Sequence, residues 1–119
     1  MFKVIVAGGR DFSDYAFLSS TLDKLLARKS DVEIVSGMAR GVDLLAVRYA
    51  RERNLPVAKF PARWRTFGTS AGFKRNKAMA LYGDACVCFW DGQSKGTAHM
   101  ILIARHYRLE LRVVKYHRS

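Results

Sequence analysis

FKVIVAGG, residues 2–9, is a short run of β-branched and small apolar side chains halted by two glycines. A strand covered on one face alternates apolar with polar residues. This run does not alternate, so it reads as a strand buried on both faces, the kind found in parallel sheets flanked by helices. The segment after it supplies such a helix. SDYAFLSSTLDKLLARK (13–29) sets Phe17, Leu18, Leu22, Leu25 and Leu26 at helical spacing, with Ser13 or Asp14 as N-cap.

The alternation continues to the end of the chain. VEIVSG (32–37) is a second strand closed by glycine. ARGVDLLAVRYARERN (39–54) is a helix with Leu44, Leu45, Val47 and Tyr49 expected inward and its arginines outward. LPVAKF (55–60) is a third strand, and PARWRTFGTS (61–70) lacks any period and reads as a long connection. GFKRNKAMALYG (72–83) is a helix, DACVCFW (84–90) a strand, GTAHMILIARHYR (96–108) a helix and ELRVVKY (110–116) a fifth strand. Strand and helix in regular exchange predict an α/β Rossmann-like sandwich: five mostly parallel strands, helices on both faces and right-handed crossovers. The expectation is one domain over residues 1–119, and periodicity leaves the strand order open.

The totals agree with a folded domain. Half of the 119 residues are apolar and two are proline, which argues against disorder. Cys86 and Cys88 lie in the fourth strand, where they are expected to face opposite sides of the sheet and form no disulfide. The N-terminal apolar stretch is too short for a signal sequence, and nothing approaches the roughly 20 apolar residues of a membrane span. These features point to a cytoplasmic protein without membrane contact. His99, His106 and His117 are scattered, so no metal site and no cofactor are expected. The formal charge of +11 favours anionic partners.

The residues that a minimal connector would not need are unevenly placed. GGRDF (8–12), SGMARGVD (36–43), PARWRTFGTSAGFKRN (61–76) and DGQSKGT (91–97) all follow the carboxyl ends of strands. The opposite connections, RKSD (28–31) and RERN (51–54), are short and merely charged. Ligands of open parallel sheets bind outside the strand carboxyl ends, so these four loops define a candidate site. Its chemistry suits a phosphorylated ribose. Gly96 and Thr97 open a helix whose free N–H groups attract an anion, with Gly92 allowing close approach and Ser94 adding a hydroxyl. Arg10, Arg40, Lys74 and Arg75 offer cations, beside Asn76. Gly8, Gly9, Ser36, Gly37 and Gly41 shape the first two turns. Asp43 and Asp91 can accept from ribose hydroxyls, and Trp64, Phe67 or Trp90 can stack on a base.

Taken together, VIVAGGRDF (4–12), SGMARGVDLLAVRYARERNLPVAKFPARW (36–64), GTSAGFKRNKAMA (68–80) and DACVCFWDGQSKGTAHMI (84–101) resemble the YspA-type, YpsA-related branch of the SLOG superfamily. The resemblance spans Phe2 to about Val114. It implies a Rossmann-like domain for nucleotides or nucleotide-derived ligands, in a branch found also in phages and mobile elements. The superfamily includes the "lonely guy" phosphoribohydrolases and the single-stranded-DNA-binding DNA-processing protein A family, and its members often pair through helices. A homo-oligomer is therefore one expectation, for which MILIARHY (100–107) is the candidate helix.

The phosphoribohydrolases carry an Arg-Lys-x-x-Met helix and a Pro-Gly-Gly-x-Gly-Thr-x-x-Glu loop. Arg75 and Met79 stand in similar positions with one residue more between them, and Gly92, Gly96 and Thr97 match the loop. The catalytic Glu is replaced by Met100, and His99 stands where a second Glu is common. Cleavage of an N-glycosidic bond develops positive charge on the sugar, which a carboxylate stabilises and methionine cannot. Three readings follow. The first is a sensor or sequestering domain for a nucleotide-derived ligand. The second is an N-glycosidic hydrolase using Arg75, Asp91 or His99, or Asp43 from its own loop. The third is a binder of single-stranded nucleic acid through Arg48, Arg51 and Arg53, or through Arg63 and Arg65 beside Trp64.

Overall fold

The computed structural model describes residues 1–117. Five strands form one parallel sheet in the order β3-β2-β1-β4-β5: β1 Phe2–Gly8, β2 Val32–Ser36, β3 Val57–Lys59, β4 Ala85–Trp90 and β5 Glu110–Lys115. FKVIVAG is the central strand, paired on both edges, which is why its apolar run is unbroken. Its alternate residues divide the core. Val4 and Val6 face helices α1 (Tyr15–Leu25) and α2 (Val42–Glu52), packing on Leu18, Leu22, Val42 and Ala46. Ile5 and Ala7 face α4 (Ala71–Tyr82) and α5 (Lys95–His106), packing with Met79, Ala80, Met100 and Ile101. The Rossmann-like sandwich with helices on both faces is thus the observed architecture.

Asp14 caps α1, its carboxylate accepting from the Phe17 N–H at 3.1 Å. Three expectations need correction. Leu44 is exposed at 45%, because Val42, Asp43, Ala46 and Ala50 form the inward stripe of α2. Cys86 and Cys88 share one face, with their sulfurs 3.5 Å apart, as residues two apart on a strand must; both are free thiols. The long connection after β3 contains a four-residue helix, α3 (Trp64–Phe67), and a 3₁₀ turn at Gly68–Ser70. No helix among the described residues is long and apolar enough to cross a membrane. On α5, the candidate pairing helix, Met100, Ile101 and Ala104 pack on the sheet and Leu102 is exposed at 64%.

The strand order reverses direction beside β1: the chain moves from β1 to β2 and β3, then returns to place β4 on the other side. The loops leaving the carboxyl ends of β1 and β4 therefore diverge and open a crevice between them.

Candidate functional site at the carboxyl edge of the sheet

A cavity of about 630 Å³ occupies this crevice, within the roughly 300–1,000 Å³ usual for small-molecule sites. All four of the elaborate loops reach it or the elements that wall it. Gly8 comes from the end of β1, Gly9 and Arg10 from the loop after it, Arg40 from the loop after β2, Asp43 from the first turn of α2, and Trp64 from α3. Arg75 and Asn76 come from α4, and Asp91, Ser94, Gly96 and Thr97 from the β4 loop and the start of α5.

The β1 and β2 loops are locked together by glycine. Gly41 has φ +84°, and a Cβ there would lie 2.2 Å from the Gly9 carbonyl oxygen. The tight fit lets the Val42 N–H donate to that same carbonyl at 3.2 Å. It also turns the first residues of α2 into the crevice. Ser36 is fully buried and supports the loop from below, its hydroxyl donating to the Asp43 carbonyl at 2.9 Å and accepting from the Met38 N–H at 3.1 Å.

Asp43 is the buried carboxylate of the cavity, 5% exposed. Its Oδ2 accepts from the Ala39 N–H at 3.2 Å. Burial raises its pKa from 3.8 to about 6, against the opposing influence of Arg75, the Ala39 N–H, Arg10 and the Gly8 N–H. Arg75 is held by both of its neighbours. Nη1 donates to the Gly37 carbonyl at 2.6 Å and Nε to the Asn76 side-chain oxygen at 2.9 Å. A Cβ at Gly37 would fall 2.5 Å from that guanidinium and 2.8 Å from Asp43 Oδ2, so a larger residue there would displace both side chains.

The β4 loop is organised by Asp91. Its Oδ1 accepts from the N–H groups of Gln93 and Ser94 at 2.9 and 2.8 Å, closing a turn that delivers the chain to α5. Gly92 sits at φ +86° within that turn. Ser94 occupies the N-cap position without capping, because its hydroxyl lies 3.2 Å from Thr97 Oγ1 instead. The first-turn N–H groups are therefore not covered by a side chain. A Cβ on Gly96 would meet nothing within 4 Å, so the backbone there faces open space beside the cavity.

Not every expected residue joins the cavity. His99 does not line it. Its Nδ1 is 3.1 Å from the Asn76 amide nitrogen and its ring packs on Phe73 with centroids 4.3 Å apart. Partial burial lowers its pKa. Lys74 points outward over the Phe67 ring, 4.9 Å from its centroid. Ser36, Gly37, Gly41 and Gly92 shape the loops without lining this cavity. Met100, 1% exposed, stands in the wall at the place where the resemblance would put a carboxylate.

The cavity also uses Met79, which the resemblance had singled out, and residues that sequence reasoning passed over: Ala7, Asp11, Ala39, Thr69, Gly72, Phe73 and Gln93. Part of that set was readable. Gly72, Arg75, Asn76 and Met79 fall at i, i+3, i+4 and i+7, one stripe of α4.

The sequence model of the YspA, cpYpsA-related SLOG family matches residues 2–67, more than half of the chain. The chain belongs to this family. The matched part of this SLOG domain runs from β1 through α3, and so contains the Gly9–Gly41 junction, Asp43 and Trp64. No curated protein matches the chain. Among solved structures, the SLOG domain is similar to DNA processing protein A from Helicobacter pylori, a protein with a reported single-stranded DNA binding mode. The TM-score is 0.64 at 20% identity over 94% of this chain, a likeness of fold. The chain spans 64% of the length of that neighbour.

Proposed function

We propose that this SLOG domain binds a nucleotide or nucleotide-derived ligand in the crevice between β1 and β4 and holds it without cleaving it. The observation that carries the reading is the composition of one cavity. The uncapped start of α5, with Ser94, Gly96 and Thr97, opens onto the same space as Arg10, Arg40 and Arg75. Free N–H groups, a helix dipole and guanidinium forks together favour a phosphate over a neutral ligand. Trp64, exposed at 49% in the cavity rim, offers an aromatic face to a base. Met100 in the wall supports retention over hydrolysis, since it cannot stabilise a developing oxocarbenium ion. Sensing or sequestering the ligand is the role that follows.

A second reading draws on Asp43. A carboxylate at the cavity with a pKa of about 6 is suited to general acid–base work near neutral pH. His99 is occupied by Asn76, and the Asp91 carboxylate by two backbone N–H groups, so a hydrolase would work through Asp43.

Nucleic-acid binding through the outer arginines of α2 has little support. Arg53 is paired with Asp23 at 2.9 Å, and Arg48 with Glu52 at 3.0 Å. The similarity in fold to a single-stranded-DNA binder keeps a strand as a candidate ligand for the cavity rim, where Arg63 and Arg65 flank Trp64. Calorimetric titration with nucleoside 5′-monophosphates, followed by chromatography of the recovered ligand, tests these readings. Saturable binding with intact ligand is expected. Released base that disappears in Asp43→Asn would establish the hydrolase, and binding of oligonucleotides alone would overturn the small-ligand reading.

A further inference from the structure

A second hollow of about 230 Å³ adjoins the main cavity, and Arg10, Ala39, Arg40, Trp64 and Arg75 line both. It is smaller than a whole ligand site, of a size for one chemical group. Among the described residues its wall carries three arginines and no carboxylate, whereas Asp11, Asp43 and Asp91 line the main cavity alone. No residue of α5 reaches it. A phosphate at the start of α5 and an anion in this annex would therefore be two different groups.

Asp43 is the carboxylate whose charge acts on Arg75 and Arg10, yet among the described residues none of the three arginines forms a close ion pair. The hydrogen bonds to Gly37 and Asn76 fix the Arg75 fork. Its pKa is lowered first by burial and also by the charge of Arg10, while Asp43 acts in the opposite sense. Arg10 lies over the Trp64 ring, 6.0 Å from its centroid. Among the described residues the ion pairs lie elsewhere, at Met1–Asp31, Arg48–Glu52, Arg53–Asp23 and Arg53–Glu52. Like charges gathered in a concave, partly desolvated wall repel one another, and a bound anion relieves that repulsion.

We propose that the annex is a second anion subsite, so that the ligand carries two phosphate groups, one at the start of α5 and one among Arg10, Arg40 and Arg75. The proposal rests on the nucleotide reading above. The second phosphate can arise as a diphosphate or as a phosphate on the far side of the ribose, and the two are separable by titration.

The test compares the 5′-monophosphate, 5′-diphosphate and 3′,5′-bisphosphate of adenosine, guanosine, cytidine and uridine by calorimetry in about 0.15 M salt, where long-range charge effects are screened. At least one two-phosphate ligand is expected to bind about tenfold or more tightly than its monophosphate, the scale of one charge-assisted hydrogen-bonded group. The ligand class that shows the gain locates the second phosphate. In Arg40→Ala the gain is expected to shrink to about twofold or less, with Arg40→Lys recovering part of it. Arg105→Ala removes the same charge from the last turn of α5, away from both hollows, and retains the gain. Equal affinities for one and two phosphates, or a gain that survives Arg40→Ala, would overturn the annex while leaving the nucleotide reading in place. Failure of every nucleotide, monophosphates included, would overturn the nucleotide reading itself. Unchanged melting of the Arg40 variants, whose side chain is exposed, guards against a folding artefact.

Discussion

Asp43 releases its proton near pH 6 because burial disfavours its charged form, and this has a consequence for stability with a definite sign. The unfolded chain ionises the same carboxyl at about 3.8. Between those values the native state binds more protons than the unfolded one, so stability falls as pH rises from about 4 to about 6. The loss from this one group is on the order of 2–3 kcal/mol. His99, depressed by burial, acts in the opposite sense as pH falls below 6.5, so the informative quantity is a difference. Denaturant melts of native protein and Asp43→Asn should converge near pH 4 and separate toward pH 7, the variant losing less. Parallel curves would mean that Asp43 titrates like an exposed carboxyl. Two glycines separate stability from binding at the same scale. Gly41→Ala meets the Gly9 carbonyl at a left-handed φ and should cost on the order of 3 kcal/mol. Gly96→Ala meets nothing, so its melting point should hold or rise by the equivalent of up to about 1 kcal/mol. Its affinity for nucleotide should nonetheless fall about tenfold or more, because the added methyl enters ligand space. Arg10, Asp43 and Asn76 were legible as candidates from residue type and position after a strand. That His99 is occupied by Asn76 was not, because the two are 23 residues apart and meet only when α4 packs on α5.

At the scale of elements, periodicity carried most of the information. It located the four long helices, since each has about three turns in which a buried stripe can repeat. It could not show α3, because four residues complete barely one turn and none of them is buried. The inward face of α2 was misread at Leu44 for a related reason. The stripe runs through Val42, Asp43, Ala46 and Ala50, and a buried aspartate and small alanines do not advertise a core face. The side of α2 that meets α1 carries a lattice of polar contacts: Arg53 holds both Asp23 oxygens at 2.9 Å, the buried Tyr49 donates to Asp23 at 2.7 Å, and Arg48 lies over Tyr15. The Arg53 contact lowers the Asp23 pKa. Arg53→Ala should therefore cost about 1 kcal/mol or less, a cost that shrinks as salt is added. Nucleotide affinity should not change in this variant. A large loss of binding in Arg53→Ala would move the site away from the carboxyl edge.

For the whole molecule, the alternating pattern was enough for the parallel sheet with two helical layers, but not for the strand order. Each strand reveals its own burial and nothing about its partner, so β3-β2-β1-β4-β5 had to come from the structure. That order places the crevice between β1 and β4, and the placement of the extra glycines and cations after strand carboxyl ends already pointed to the same edge. The net charge of +11 was less specific than it looked, because the arginines behind it are spread over the surface, Arg48 and Arg53 being paired with Glu52 and Asp23 away from the candidate site. A ligand that binds only the native state also stabilises it by mass action. Nucleotide at a hundred times its dissociation constant should raise the unfolding free energy by about 2.7 kcal/mol, visible as an upward shift of the melting temperature.

The most direct test of the central claim is a two-dimensional amide NMR titration of the native protein with a nucleoside 5′-monophosphate. Saturable shifts confined to Gly9, Arg10, Ala39, Arg40, Ser94, Gly96, Thr97 and their neighbours are predicted, with the ligand's own resonances unchanged over the experiment. An unperturbed spectrum at millimolar ligand, or shifts centred on the outer face of α2, would contradict a nucleotide site at the carboxyl edge of the sheet.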